Sequence, residues 1–256
     1  MASLSFWSLA LLLAVFFATC AIGVVTGSNS LITVPLMFQF GIEPRVAVAT
    51  NMFGLTFMSV GAAVPFVGKN VFDQRRMPAL LVLTLMGSAI GAALVGLISN
   101  QLMPIIVSIS MFAVIVFSFL KRDVGVQKNL SPTKFNEVLT YALTFLLGIY
   151  GGLYSGGYTT ILTSVYVGLL GMTFTEAVAN TKLINIFSSL IATLIFAWQN
   201  LIDYRLGAIL AVTMFAAAYT GAKFVTKMND AWLRRIFLAT VLGLATKILL
   251  IDILKI

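Results

Sequence analysis

Much of residues 41–92 of this chain is repeated 130 positions later. Gly41 matches Gly171, and Ala47-Val48-Ala49 matches Ala177-Val178-Ala179. Phe57, Ser59 and Phe66 match Phe187, Ser189 and Phe196. Asn70, Asp73 and Arg75 match Asn200, Asp203 and Arg205, and Gly91-Ala92 matches Gly221-Ala222. Such spacing restricts the fold to two related halves. Just upstream, with one residue slipped, each copy carries a small, polar, glycine-containing interruption: Thr26-Gly27-Ser28-Asn29-Ser30 and Ser155-Gly156-Gly157-Tyr158-Thr159-Thr160. Paired interruptions in two related apolar halves point to the binding site of a membrane transporter.

The material around the interruptions is lipid-like. Hydrophobic residues make up 60% of the chain and charged residues 9%. Apolar runs of about 20 residues span a bilayer as helices. The expected architecture is an all-α polytopic membrane protein with very little mass outside the lipid. Expected spans are Phe6–Val25, Ala47–Val67, Ala79–Ile98 and Met103–Leu120, then Leu139–Leu153, Ala177–Trp198, Leu206–Thr226 and Trp232–Ile253. Phe6–Val25 lacks a preceding basic residue and reads as a retained helix, not a signal peptide. Residues 1–120 form the first transmembrane repeat, 121–137 the inter-repeat loop and 138–256 the second repeat.

Two short apolar segments, Leu31–Phe40 and Thr159–Leu170, leave the topology open. If they cross the bilayer, the halves are inverted with five helices each. If they re-enter, the halves run parallel with four each. Charge favours the inverted five-plus-five arrangement. It gathers Lys69, Arg75, Arg76, Lys121, Arg122, Lys128, Lys134, Lys227, Arg234 and Arg235 on one side and leaves Arg45, Arg205 and Lys255 on the other. Both termini then lie outside. The net charge of +8 is absorbed by this bias, so nucleic-acid binding is not expected.

The candidate chemistry lies in the interruptions and just beyond them. A helix restarting at Leu31 or Ile161 aims unpaired N–H groups and a positive dipole end into the gap, which suits an anion. Gly27, Ser28, Asn29 and Ser30 in the first break, and Ser155, Gly156, Gly157 and Thr159 in the second, are the expected cradle. Small residues at tight helix contacts are the plainer alternative. Thr50-Asn51 and Asn180-Thr181-Lys182 sit in register near the start of a long span. Asn51, Asn180, Thr181 and Lys182 are expected to supply side-chain contacts, because such groups are costly inside lipid unless they face protein or a pathway. Snorkelling is the alternative for Lys182, and the preferred reading for Lys223 and Lys247. The repeated Asn/Asp/Arg sets read as helix caps and local ion pairs. Gly91 and Gly221 read as close helix contacts, and Trp7, Trp198 and Trp232 as interfacial anchors.

Other classes are disfavoured. One cysteine and no histidine make a zinc, copper or haem site unlikely on chemical grounds. No phosphate-binding loop and no Ser-His pair is present, so no cofactor and no enzymatic activity is expected.

Gly23-x-x-x-Gly27 leading into Val34-Pro35-Leu36 and Ala47-Val48-Ala49-Thr50-Asn51 resembles the first half of the sulfite exporter family of TauE/SafE type. Gly148-x-x-Gly151-Gly152, Gly156-Gly157, Ala177 to Lys182, Asn185 and Asn200-x-x-Asp203-Tyr204-Arg205 resemble its second half. The first break departs from the family's denser glycine run, and Tyr158 directly follows the second glycine pair. The resemblance implies a secondary transporter in the bacterial inner membrane that exports sulfite, a sulfonate or a related sulfur anion, with proton coupling. Glu43 and Glu176 are the acids placed to help in that coupling. The expected partners are the small anion and the bilayer, with a homodimer possible. An anion channel and a non-transporting scaffold subunit are the rival readings.

Overall fold

The computed structural model describes residues 6–27, 29–120, 132–229, 232 and 235, with the side chains of 114–120 outside that set. Among the described residues it is all helical. Helices α1 (Phe6–Thr26), α2 (Ser30–Gln39), α3 (Pro44–Ala63), α4 (Met77–Leu97) and α5 (Met103–Leu120) precede the loop. Helices α6 (Lys134–Leu153), α7 (Tyr158–Leu170), α8 (Phe174–Trp198) and α9 (Tyr204–Val225) follow it. Among the described residues, five helical stretches are long and apolar enough to cross a membrane: Phe6–Thr26, Pro44–Phe66, Met77–Leu97, Phe174–Trp198 and Tyr204–Val225. The expected span Trp232–Ile253 and Lys247 fall outside the described residues, apart from Trp232 and Arg235.

Helix starts lie upstream of the apolar runs because polar residues cap them. Thr133 accepts from the Asn136 amide and starts α6 at Lys134, so the expected repeat boundary at 137/138 falls inside a helix. Thr173 and Glu176 close a capping box at the head of α8. Pro44 opens α3, where its missing N–H costs nothing.

The 130-residue spacing reappears in the backbone. Six of the seven left-handed residues among those described form pairs at that offset, Gly27 and Gly157, Gly41 and Gly171, Asn70 and Asn200, and Gly68 stands alone. Gly27 and Gly157 are thus in register without slippage. Asp73 caps the Arg76 amide and Asp203 the Leu206 amide, again 130 apart. The ion pairs near the first set belong to Arg76, not to the repeated Arg75: its guanidinium binds Asp73 at 2.7 Å and Glu137 at 2.5 Å.

Contacts between elements follow the same spacing and cross over. Helix α4 packs on α6, and α9 packs on α1. At Gly91 a side chain would strike the Ile149 carbonyl, and at Gly221 the Ala21 carbonyl. The Thr50 hydroxyl accepts from the Asp203 amide at 3.0 Å, and the Asn180 carbonyl oxygen from the Asp73 amide at 2.9 Å. Each brace ties the third helix of one half to the loop of the other. Trp7, Trp198 and Trp232 are exposed, as anchors at a lipid interface would be.

Candidate functional site

The two helix breaks meet. After α1 ends at Thr26, Gly27 takes a left-handed φ of 68°, and Gly157 takes 76° before α7 begins. A Cβ at Gly27 would collide with the Thr159 hydroxyl and lie 2.7 Å from the Thr160 amide nitrogen, so only glycine allows this approach. The Thr159 hydroxyl donates to the Gly27 carbonyl at 3.1 Å, and that of Thr160 to the Thr26 carbonyl at 2.5 Å. Ser30 and Ser155 hydroxyls lie 2.9 Å apart. Asn51 donates to the Ser30 hydroxyl at 3.0 Å and accepts from Thr33 at 2.9 Å. Tyr154 donates to the Ser30 carbonyl at 2.9 Å. All of these residues are buried.

The second break holds two extra residues. The Ala21–Gly221 and Ile149–Gly91 contacts relate α1 to α6 at an offset of 128, whereas the left-handed glycines are 130 apart. The second half therefore has two more residues than the first between Gly151 and Gly157, where the sequence reading allowed a slip of one. The longer break contains Tyr154 and Ser155, the two residues that reach across to Ser30. Composition gives no sign of Tyr154; the mismatch between the two offsets does.

Lys182 projects from α8 into this junction. It is 3% exposed, and its Nζ donates to the Gly23 carbonyl, in the last turn of α1, at 3.0 Å. Snorkelling is therefore not its conformation. Neither ion pair among the described residues involves it. The Gly23 neighbourhood also holds Asn29, whose amide lies 3.8 Å from the Cys20 sulfur. The carbonyl end of α1 is the negative end of a helix dipole. Thr159, Thr160 and Lys182 cover it, which leaves the amino ends of α2 and α7 as the positive ends in the junction.

Thr181 shares its hydroxyl with Thr163 at 3.2 Å, one layer from the breaks. The corresponding pair 130 residues earlier is Asn51 with Thr33. Asn185 donates to Ser59 at 2.7 Å. Asn180 is not part of the junction: its amide group is consumed by the carbonyls of Val71 and Glu176 and by the Asp73 amide. Ser28 lies outside the described residues. Gly156 lies in the second break, where its carbonyl accepts from Tyr150. Lys223 is exposed, its ammonium 4.4 Å from the centre of the Tyr219 ring. Glu176 is held in its capping box, and Glu43 accepts from Asn100. No group of three His, Cys, Asp or Glu side chains with metal-binding spacing occurs among the described residues.

The family model for the sulfite exporter TauE/SafE matches residues 11–248. The chain belongs to this family. It is 24% identical to a Sinorhizobium protein named probable membrane transporter protein ORF9, over 97% of this chain and 95% of that one. A Haemophilus influenzae protein named probable membrane transporter protein is 26% identical, over 88% of each chain. The Escherichia coli K12 protein named probable membrane transporter protein YfcA is 23% identical, over 88% of this chain and 83% of the relative. With its apolar helices of spanning length, this member of the family is an integral membrane transporter.

Proposed function

We propose that the chain is a secondary transporter that exports a small sulfur oxyanion, such as sulfite or a short sulfonate, from a bacterial cell. The two halves, 1–120 and 138–256, lie inverted in the membrane, with α2 and α7 as short crossing segments. The 130-residue spacing of crossed contacts supports a two-fold relation between them. The loop charges support the inversion. Alternating access would come from rocking of one half against the other about the junction of the breaks.

The observation that carries this reading is Lys182. Among the described residues this buried ammonium has one carbonyl partner and no carboxylate, and a buried charge without a balancing one costs several kcal/mol. A bound anion restores the balance, helped by the amino ends of α2 and α7 and the hydroxyls of Ser30 and Ser155. The hydroxyls add directional contacts but no net charge. Selection for negative solutes therefore rests on Lys182.

The test is flux of sulfite and of methanesulfonate from proteoliposomes of the wild type and of Lys182→Met. Methionine fits the volume and is the residue 130 positions earlier, Met52. Wild-type flux should saturate and show counter-transport, and the variant should lose at least about tenfold in apparent affinity, the order of one charge-assisted contact. Non-saturating flux without counter-transport would identify an anion channel. Unchanged affinity in Lys182→Met would remove Lys182 from the site.

A further inference from the structure

A second buried polar cluster lies beside the junction, between α4, α6, α7 and α8. The Tyr158 ring stands over Gly151 of α6, where a Cβ would come within 3.0 Å of the ring. The glycine therefore provides the slot for the ring. Its hydroxyl faces those of Thr84 on α4 and Ser188 on α8. Ser188 in turn lies 2.7 Å from Ser88, whose own proton goes to the Gly148 carbonyl at 3.1 Å. Ser188 must then donate to Ser88. Tyr158 and Thr84 are fully buried, and among the described residues their hydroxyls lie in loose reach of each other and of Ser188 without making a well-formed hydrogen bond. A buried hydroxyl left without a partner is unfavourable, and such sites are few in native interiors.

The loosely held groups are two hydroxyls, each able to donate one proton and to accept, with no carboxylate or basic side chain among the cluster's members. With no carboxylate to offset a cation's charge, the pair suits a ligand whose acceptor oxygens take both protons. Tyr158 and Thr159 are adjacent on the first turn of α7, so the cluster and the break junction share a wall. We propose that Tyr158 and Thr84, with Ser188 behind them, form a second position for the transported oxyanion, next to the one held by Lys182. This rests on the anion-transport reading above. The position is weaker than the first because it offers neutral donors only. It passes the anion along by exchanging one set of hydroxyl contacts for another.

The test uses Tyr158→Phe and Thr84→Val in the full chain, reconstituted in proteoliposomes, with methanesulfonate and sulfite as probes. Both changes keep side-chain volume and remove a hydroxyl's hydrogen-bonding capacity. Each should raise the KM for flux about fivefold, the scale of one lost hydrogen bond. Each should also reduce the thermal shift that methanesulfonate produces in detergent, while the Tm without the anion stays near wild type. Wild-type KM and thermal shift in both variants would overturn the second position and mark the cluster as a water site only. A fall in Tm with unchanged KM would likewise reduce it to a packing role. Saturable wild-type flux with unaffected variants sinks this inference alone. Absence of saturable wild-type flux sinks the transport reading and this inference with it.

Discussion

The face where α4 meets α6 and α8 and the face where α9 meets α1 and α3 share a framework and differ in their lining. Gly91 and Gly221 press against main-chain carbonyls in both. At the next positions the two part company. Thr84, Ser88 and Ser188 on the first face correspond, 130 residues away, to Met214, Ala218 and Met58 on the second. Lys182 corresponds to Met52 and Asn185 to Leu55. The second face is sealed by sulfur and methyl groups: Met214 lies over Gly54, where a Cβ would sit 2.5 Å from its sulfur. The shared features set where helices stop, cap and touch. The polar side chains sit mainly where the copies disagree, so the two faces do not offer the same chemistry.

The largest stability effect is expected from the shared glycines. Gly91→Ala and Gly221→Ala each drive a methyl group into a facing carbonyl, so two helices must separate. Overpacking costs about 1–3 kcal/mol, and more where, as here, the struck atoms are backbone and cannot rotate away. Thermal unfolding in detergent should show both variants destabilised to a similar degree. A loss confined to one of them would break the claim of a common framework.

The duplicated framework was legible in the sequence; the unequal lining was much less so. Repeated Asp73 and Asp203, Gly41 and Gly171, and Gly91 and Gly221 announce caps, turns and contacts because each local geometry demands its residue type. Both breaks could be placed for the same reason. Lys182 was visible as a cation in an apolar run, but its Gly23 partner is 159 residues away, a distance local patterns do not report. Asn180 looked like its neighbours Thr181 and Lys182. Helical rotation turns it towards the Val71–Asp73 loop instead, and no spacing rule shows which partner lies there. Tyr154 was the hardest to find. Aromatic residues in a membrane chain are commonplace, and only the tertiary meeting of the breaks gives its hydroxyl a partner, the Ser30 carbonyl.

The crossed braces sharpen the comparison at an intermediate scale. Asn180 makes three hydrogen bonds to the main chain, and Thr50 makes one across the halves. Asn180→Leu leaves the Asp73 amide without its acceptor and should cost about 1–3 kcal/mol. Thr50→Val likewise leaves the Asp203 amide without its acceptor but breaks no other bond across the halves, and should cost about 1 kcal/mol, the low end of that range. Thermal unfolding should rank them in that order. Equal losses would mean that the loops, not the side-chain bonds, hold the halves together.

The smallest expected effect compares the linings directly. Ser88→Ala deletes the donor to Gly148 and the acceptor for Ser188, and should lower stability by about 0.5–1.5 kcal/mol. Its counterpart, Ala218→Ser, adds a hydroxyl at a buried position corresponding to Ser88. On that face the position matching Ser188 is Met58, which offers only a weakly accepting sulfur. A serine in a helix can turn its proton back to the carbonyl four residues earlier, so the added group need not remain unpaired. The insertion should therefore be close to neutral in unfolding measurements. A gain in stability from Ala218→Ser would mean that the second face already holds an acceptor for it, and the contrast between the two linings would be smaller than the side chains imply.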